Sequence, residues 1–161
     1  MAISSDQSRA FRDALGQFAT GITIITALDE KNQPTGLTVN SFSSVSLDPR
    51  LVLWSISDEA SVYDAFIKAK HFAIHVLHSG QQALSNSFAS VEGDRFEGLA
   101  LEAGISDVPL LTEYVARFEC STEAIHPGGD HEIIVGKVER FATQEREPLL
   151  FYGGSYREVK Q

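Results

Sequence analysis

The chain has 161 residues, of which 43% are hydrophobic and 22% charged, and this composition predicts one globular domain, 1–161, rather than a disordered chain. Its formal net charge of −9 disfavours nucleic acid and anionic membranes as partners, because both would repel an acidic surface. The single Cys120 excludes an internal disulfide, and no apolar run reaches the roughly 20 residues of a membrane span, so we expect a cytoplasmic protein.

Periodic apolar residues predict the first helix over residues 7–18, with Phe11, Ala14, Leu15 and Phe18 on one face. The β-branched stretch after it predicts a strand over 21–28, followed by a turn over 29–36. The remaining predicted elements are strands over 37–42 and 51–57, a helix over 58–69 capped by Ser57 or Asp58, a strand over 71–77, a helix over 80–90, an irregular segment over 91–112, strands over 114–125 and 131–143, and a last strand and loop over 148–157. Strands dominate without a βαβ rhythm, which favours an antiparallel barrel or sandwich covered by two or three helices.

The motifs of several common sites are missing from the sequence. It contains no GxGxxG after a strand, no GxxxxGK[ST] and no GxSxG. His71, His75 and His78 would suit a metal ion on a helix, but the segment predicts a strand, in which residues four apart are separated by about 13 Å. We therefore expect histidines on the surface or on the face of a barrel, and no metal site.

Two polar segments are candidates for holding a ligand. In the strand over 37–42, Thr38 and Asn40 point to one face while apolar neighbours point to the other. The glycines of HPGGDH, residues 126–131, permit a close approach of backbone to ligand, and His131 follows them. An edge strand with a Ser-rich turn, and a plain hairpin turn, explain the same two segments.

Arg95 and several aromatic residues are weaker candidates. Arg95 is one of few cations in an acidic stretch, and its guanidinium suits a phosphate; a surface salt bridge with Glu92 or Glu97 is the alternative. Aromatic rings that could stack on a planar ligand, or instead fill the core, are Trp54, Phe88, Phe151, Tyr152 and Tyr156.

Taken together, these segments resemble the flavin reductase-like family, and more narrowly the small reductase components of two-component flavin-dependent monooxygenases. The resemblance runs nearly end to end, in order, through FRDALGQFATGITIIT, GLTVNSFSSVSLDPRLVLWSI, FAIHVL, SFA, DRFEG, PGGDHEIIVGKVE and PLLFYGGSYR. Two positions depart from the usual pattern of the family. Arg50 stands where a second proline is frequent, and Ser85 and Asn86 stand where basic residues are common.

The resemblance implies a mainly β fold with peripheral helices, an FMN-binding split β-barrel of Greek-key antiparallel topology. It implies a homodimer with FMN or FAD near the subunit interface, and NADH or NADPH as reductant. The implied activity is an NAD(P)H:flavin oxidoreductase that supplies reduced flavin to a partner flavin-dependent monooxygenase.

The resemblance also assigns site residues by position. His131 would be the catalytic residue, where the nicotinamide stacks on the flavin. The implied cofactor contacts are Thr38, Val39, Asn40 and Ser41 for the ring and ribityl chain, Ser55, Ser57, Ser61 and Arg95 toward the phosphate, and Tyr156 near the ring, with Phe88 as a stacking candidate. Three other functions stay open: an amine-oxidising FMN enzyme, a flavin- or haem-binding split barrel without reductase activity, and a barrel for an apolar ligand.

Overall fold

The computed structural model describes residues 4–160, so residues 1–3 and 161 of the predicted domain lie outside it. The helices are α1 (Ser5–Leu15), α2 (Tyr63–Lys68) and α3 (Gln82–Ala89), with 3₁₀ turns at Ser79–Gln81 and Ile105–Asp107. The strands are β1 (Thr20–Gly21), β2 (Thr23–Leu28), β3 (Pro34–Val39), β4 (Ser43–Leu47), β5 (Arg50–Ser57), β6 (His71–Val76), β7 (Leu101–Ala103), β8 (Pro109–Leu111), β9 (Ala116–Pro127), β10 (His131–Thr143), β11 (Leu150–Tyr152) and β12 (Ser155–Arg157). The prediction of a mainly β fold with peripheral helices is confirmed.

Seven strands form the main sheet in the order β3-β2-β6-β9-β10-β5-β4, with antiparallel pairs throughout. In residues 4–160 no strand ladder joins the two ends of this sheet, β3 and β4. A side chain links the β3 end to β5 instead. The Ser41 hydroxyl accepts the Ser55 backbone N–H at 2.9 Å and donates to the Ser55 carbonyl at 3.2 Å. The backbone pairing therefore leaves the sheet open, and the Ser41 side chain links the segment after β3 to β5.

Strand β5 separates the core from the face that carries predicted site residues. Trp54 is fully buried, and its ring packs edge-on against Phe66 of α2 at 5.1 Å and Phe72 of β6 at 5.9 Å, a geometry that aromatic pairs favour. Ser55 and Ser57 alternate with the buried residues and remain half-buried on the opposite face. The alternation thus keeps both serines out of the core.

Helix α1 ends earlier than the sequence predicts and has no buried side chain. Ser4 begins it with a capping box, and Gly16 ends it. The apolar residues that predicted the helix lie at the surface of the single chain, since Phe11, Leu15 and Phe18 are 64%, 58% and 79% exposed. The amphipathic pattern is real, but its apolar face meets no partner element within the described chain.

Other predicted boundaries were wrong where local hydrogen bonds or pairing decided the structure. The strand over 37–42 ends at Val39, and the Ser-rich turn after it is instead strand β4, which pairs with β5. The helix over 58–69 begins only at Tyr63, because the Ala60 N–H donates to the Ser57 carbonyl in a preceding turn. The segment over 91–112 contains the short pair β7–β8, and the strand over 21–28 is divided at Ile22.

His75 lies in the predicted strand, but it is not a surface residue. It is fully buried, its Nδ1 lies 3.1 Å from the Ile24 carbonyl, and its Nε2 accepts the Leu111 N–H at 3.1 Å. Loss of solvation lowers the pKa of His75 to about 3, so the ring is neutral and bridges β2, β6 and β8. Among residues 4–160 no group of three or more His, Cys, Asp or Glu side chains could hold a metal ion.

No helix in the described range is both long enough and apolar enough to cross a membrane.

Candidate functional site

Strand β5 adjoins both the segment after β3 and strand β10, which carry predicted site residues. Ser57 of β5 is paired with His131 of β10, so the two side chains share a face of the sheet. Ser55 lies on that face two residues earlier, about 7 Å along the strand. Because the Ser41 hydroxyl is bonded to the Ser55 backbone, the end of β3 lies beside the strand that carries Ser57.

Three predicted ligand hydroxyls already serve the fold. Thr38 Oγ1 donates to the Ser85 carbonyl of α3 at 2.7 Å, and the Ser41 hydroxyl uses both its proton and a lone pair on Ser55. Ser57 Oγ accepts the Glu59 N–H at 3.2 Å and keeps its own proton. Of these three hydroxyls, the Ser57 hydroxyl can therefore still donate a hydrogen bond to a ligand, and the Thr38 hydroxyl can only accept one. The Ser41 hydroxyl has already used its proton and one of its two lone pairs.

Val39 and Asn40 differ in exposure. Val39 is half-buried against the main core, and its carbonyl accepts the Thr23 hydroxyl at 2.9 Å. Asn40 is exposed and lies on the wall of a cavity of about 650 Å³, a volume typical of small-molecule sites. The other walls come from the end of α1 with the loop after it and from the β11–β12 turn: Arg12, Asp13, Leu15, Gly16, Gln17, Phe18, Thr20, Phe151, Gly153 and Gly154.

His131 is held by the residue before it. Its Nδ1 lies 2.7 Å from Asp130 Oδ1, and its side chain is 44% exposed. The hydrogen bond from His131 lowers the pKa of Asp130, so the carboxylate is ionised and can only accept. Nδ1 therefore carries the proton, and Nε2 is the ring nitrogen presented to a ligand.

Arg95 and Ser61 line a second, smaller cavity of about 240 Å³ beside Gly36. Arg95 Nε and Nη2 donate to the Ser90 carbonyl at 2.9 and 2.6 Å, and Nη1 donates to the Gly36 carbonyl. Burial lowers the pKa of Arg95, but a guanidinium remains charged at neutral pH. These contacts use three of its five N–H groups, so two remain for an anion.

Phe88 is a predicted site residue whose side chain lies in the core. It is fully buried and packs edge-on against Phe96 at 4.9 Å. A Cβ on Gly36 would lie 2.8 Å from the Phe88 ring, so glycine is needed for this close approach. The Phe88 ring therefore packs against Gly36 of β3 in the core, and it is not available for stacking on a ligand.

The model of the flavin reductase-like domain family matches residues 15–160. The chain belongs to this family. The flavin reductase-like chain is 49% identical over 151 residues to FMN reductase (NADH) SmoA of Agrobacterium fabrum, covering 94% of the chain and 86% of that relative. It is 43% identical over 148 residues to the reductase component of the flavin-dependent trigonelline monooxygenase of Acinetobacter baylyi, covering 92% of the chain and 48% of the relative. The chain thus spans about half of that second relative.

A solved structure gives the same fold. NADH:FAD oxidoreductase SgcE6 of Streptomyces globisporus, in complex with NAD and FAD fragments, superposes on the flavin reductase-like chain with a TM-score of 0.91. The two are 33% identical, and the match covers 99% of this chain and 97% of that one. The family resemblance read from the sequence is confirmed.

Two polar residues that contact predicted site residues were missed by sequence reasoning. Asn86 accepts a hydrogen bond from Tyr156, 70 positions away, a separation that no local pattern reveals. Local pattern predicts Asp130 only as part of a turn, although its carboxylate accepts a hydrogen bond from the His131 ring. An acidic residue directly before a candidate catalytic histidine is the signal that could have found it.

Proposed function

We propose that this chain is an NAD(P)H-dependent flavin reductase, which transfers a hydride from a reduced nicotinamide to FMN or FAD. The observation that carries the proposal is the family match over residues 15–160, together with 49% identity to an NADH-dependent FMN reductase. The geometry supports it by joining the end of β3 to the face that carries His131.

The large cavity has features that fit a flavin. Thr20 Oγ1 on its wall is a buried polar atom without a hydrogen-bond partner among the described residues. Gly153 and Gly154 adopt positive φ angles of 60° and 76°, and nothing lies within 4 Å of where their Cβ atoms would be. A flat ring with polar edges can therefore approach the backbone of this turn closely, with the Asn40 amide beside it.

In this proposal the bound flavin supplies the hydride-accepting ring. The Asn40 amide would donate N–H groups to the pyrimidine edge of a bound flavin. His131, oriented by Asp130, holds the nicotinamide in line with the flavin. Ser61 and the two free N–H groups of Arg95 bind toward the phosphate. Holding the two rings at reacting distance would lower the activation free energy by roughly several kcal/mol, as it does for other well-oriented reactant pairs.

Asn40→Ala is expected to raise the Kd for FMN or FAD about tenfold, because one hydrogen-bonded amide is lost from the site. Equilibrium titration of flavin fluorescence measures it. Gln33→Ala is the matched control, since Gln33 is an exposed amide in the turn between β2 and β3. Equal Kd values for Asn40→Ala and the unsubstituted protein would contradict the assignment.

We further propose a split β-barrel of Greek-key topology, in which the Ser41–Ser55 link marks the closure, and a homodimer. The dimer is supported by the exposed apolar face of Phe11, Leu15 and Phe18 next to the large cavity, because soluble monomers rarely leave such residues clustered. Sedimentation equilibrium should give about twice the chain mass; a monomer at micromolar concentration would refute the dimer.

The proposed recipient of the reduced flavin is a flavin-dependent monooxygenase, since one relative is named as the reductase component of such an enzyme. We place the reaction in the cytoplasm, where reduced nicotinamide is available.

NADH and NADPH oxidation, followed with and without added FMN or FAD, tests the activity. We expect oxidation that depends on flavin. Flavin binding without oxidation of either nicotinamide would instead indicate a flavin-binding barrel that lacks reductase activity, and haem binding alone would indicate a haem protein.

A further inference from the structure

His78 holds the turn that leads into helix α3, residues 78–81, which is called the His78 turn below. Its Nδ1 accepts the Gly80 N–H at 3.0 Å, and its backbone N–H donates to Gln81 Oε1 at 2.9 Å. A Cβ on Gly80 would lie 2.9 Å from His78 Cε1, so glycine permits this close approach of the ring. The imidazole is therefore the N-terminal cap of the turn, a place where serine, threonine, aspartate or asparagine is preferred.

The His78 turn also binds the segment that leads into β11. His78 forms an isolated antiparallel bridge with Pro148, and the Ser79 N–H donates to the Glu147 carbonyl at 2.9 Å. Strand β11 follows this segment directly, and residues of β11 and of the β11–β12 turn form one wall of the large cavity. The position of that wall therefore depends on a segment that the His78 turn holds.

The hydrogen bonds of the His78 ring require its neutral form. Nδ1 accepts the Gly80 N–H, so it carries no proton, and the proton of the neutral ring is on Nε2. Nε2 is buried and has no hydrogen-bond partner within residues 4–160. A second proton would bind at Nδ1, where it would face the Gly80 N–H and break the cap. Protonation in place therefore removes a hydrogen bond from the turn and adds none.

The charged groups beside the ring do not favour that proton. Arg146, before β11, and Glu113, after β8, form an ion pair at 3.0 Å, and helix α3, QALSNSFA, contributes no charged side chain. Burial, with a smaller contribution from Arg146, lowers the pKa of His78, and Glu113 opposes this shift only in part. The cap is therefore fully stable above the ordinary histidine pKa of about 6.5, and it weakens as the pH falls below that value.

We propose that the His78 turn is a pH-sensitive link between α3 and the wall of the large cavity: protonation of His78 opens the turn, and the opening speeds the release of bound flavin. The release of flavin rests on the proposed function, because it assumes that flavin occupies that cavity. The opening of the turn does not, since it depends only on contacts within the chain. The two parts are therefore tested separately.

His78→Asn separates the cap from the proton, because asparagine is a favoured cap residue and its amide does not titrate. Hydrogen exchange of the Ser79 and Gly80 amides, corrected for the intrinsic effect of pH, measures opening of the turn. Between about pH 7.5 and pH 5.5 we expect their protection to fall about fivefold to tenfold in the unsubstituted protein, and to change less than about twofold in His78→Asn. His126→Asn, at an exposed histidine of β9, is the matched control and should keep the response to pH.

Equal pH responses of the unsubstituted protein and His78→Asn would overturn the proposal. Nitrogen NMR of the unsubstituted protein gives a second test that needs no variant. We expect the His78 ring to be neutral at about pH 7.5 with its proton on Nε2. A proton on Nδ1 at that pH would also overturn the proposal, because the cap would then not depend on the neutral ring.

Rapid dilution of the FMN complex, followed by flavin fluorescence, measures release. We expect the dissociation rate to rise between about pH 7.5 and pH 5.5 by the same factor as opening of the turn in the unsubstituted protein, and to rise less in His78→Asn. The phosphate of FMN also titrates near about pH 6, but it does so with both proteins, so the difference between them reports on His78. Equal dissociation rates of the two proteins at both pH values would overturn the role of the turn in release and leave the proposed function standing. A protein that binds no flavin rejects the proposed function and the release of flavin together, and hydrogen exchange then decides the opening of the turn alone.

Discussion

His131→Ala is expected to slow reduction of bound flavin by NADH about 100-fold, while the Kd for flavin stays within about twofold. Misplacing a reacting group by an ångström can cost a factor of this order. The side chain is 44% exposed and its ring is fixed by Asp130, so it is free to orient a nicotinamide without supporting the core. Rapid mixing of the flavin-loaded protein with NADH in the absence of oxygen measures the rate.

His71→Ala serves as the control for this experiment. His71 is half-buried on β6. Strand β9 lies between β6 and β10, and the pairing places His71 at the same level as Lys137 of β10. Lys137 is six residues from His131, about 20 Å along the strand, so His71 is at least that far from His131. We expect its reduction rate to remain near that of the unsubstituted protein. If His131→Ala reduces flavin at the same rate and with the same apparent NADH affinity, His131 does not belong to the site.

His75→Leu is expected to lower the free energy of unfolding by about 2–4 kcal/mol near pH 7. The substitution removes the acceptor of the buried Leu111 N–H and the donor to the Ile24 carbonyl, and a buried polar group left unpaired costs about 1–3 kcal/mol. Urea unfolding followed by circular dichroism measures the change. A loss below about 0.5 kcal/mol would show that water or another group replaces the imidazole.

The same residue should make stability depend on pH with a defined sign. The pKa of His75 is about 3 in the fold and about 6.5 in the unfolded chain. Between these values the unfolded state binds the extra proton, so stability is present above about pH 6.5 and is lost as the pH falls. The slope reaches about 1.4 kcal/mol per pH unit.

The cost of His75→Leu should therefore shrink by about 2 kcal/mol between pH 7 and pH 5, because the variant lacks this titration. His71→Leu, at a half-buried histidine of the same strand, is the matched control, and it should show no comparable shrinkage. A cost of His75→Leu that is independent of pH would mean that the ring is not buried in its neutral form.

The sequence predicted a helix or a strand where the apolar residues follow one clear periodicity. Strand β5 alternates buried and half-buried residues, so its identity and the face of Ser55 and Ser57 follow from local pattern. Strand β4 was missed because the serines at its start favour a turn, and its pairing with β5 makes SSVSL a strand. Pairing between distant segments is the information that local propensity does not contain.

The sequence indicates candidate site residues more readily than the contacts that their side chains make. Family resemblance pointed to Thr38, Ser41 and Arg95, but the structure shows their side chains bonded to backbone groups of α3, β5 and the loop after α3. Sequence cannot tell a hydroxyl that binds ligand from one that binds a neighbouring strand, because both need the same polar atom. The same limit hid His75, whose two ring nitrogens join strands far apart in the chain.

Oxygen-free mixing of the protein with FMN or FAD and one equivalent of NADH is the most direct test of the central claim, that this fold brings a flavin and a dihydropyridine together. We predict stoichiometric loss of the visible absorbance of oxidised flavin, far faster than in a mixture without protein. Flavin that binds tightly and stays oxidised with both NADH and NADPH would contradict it.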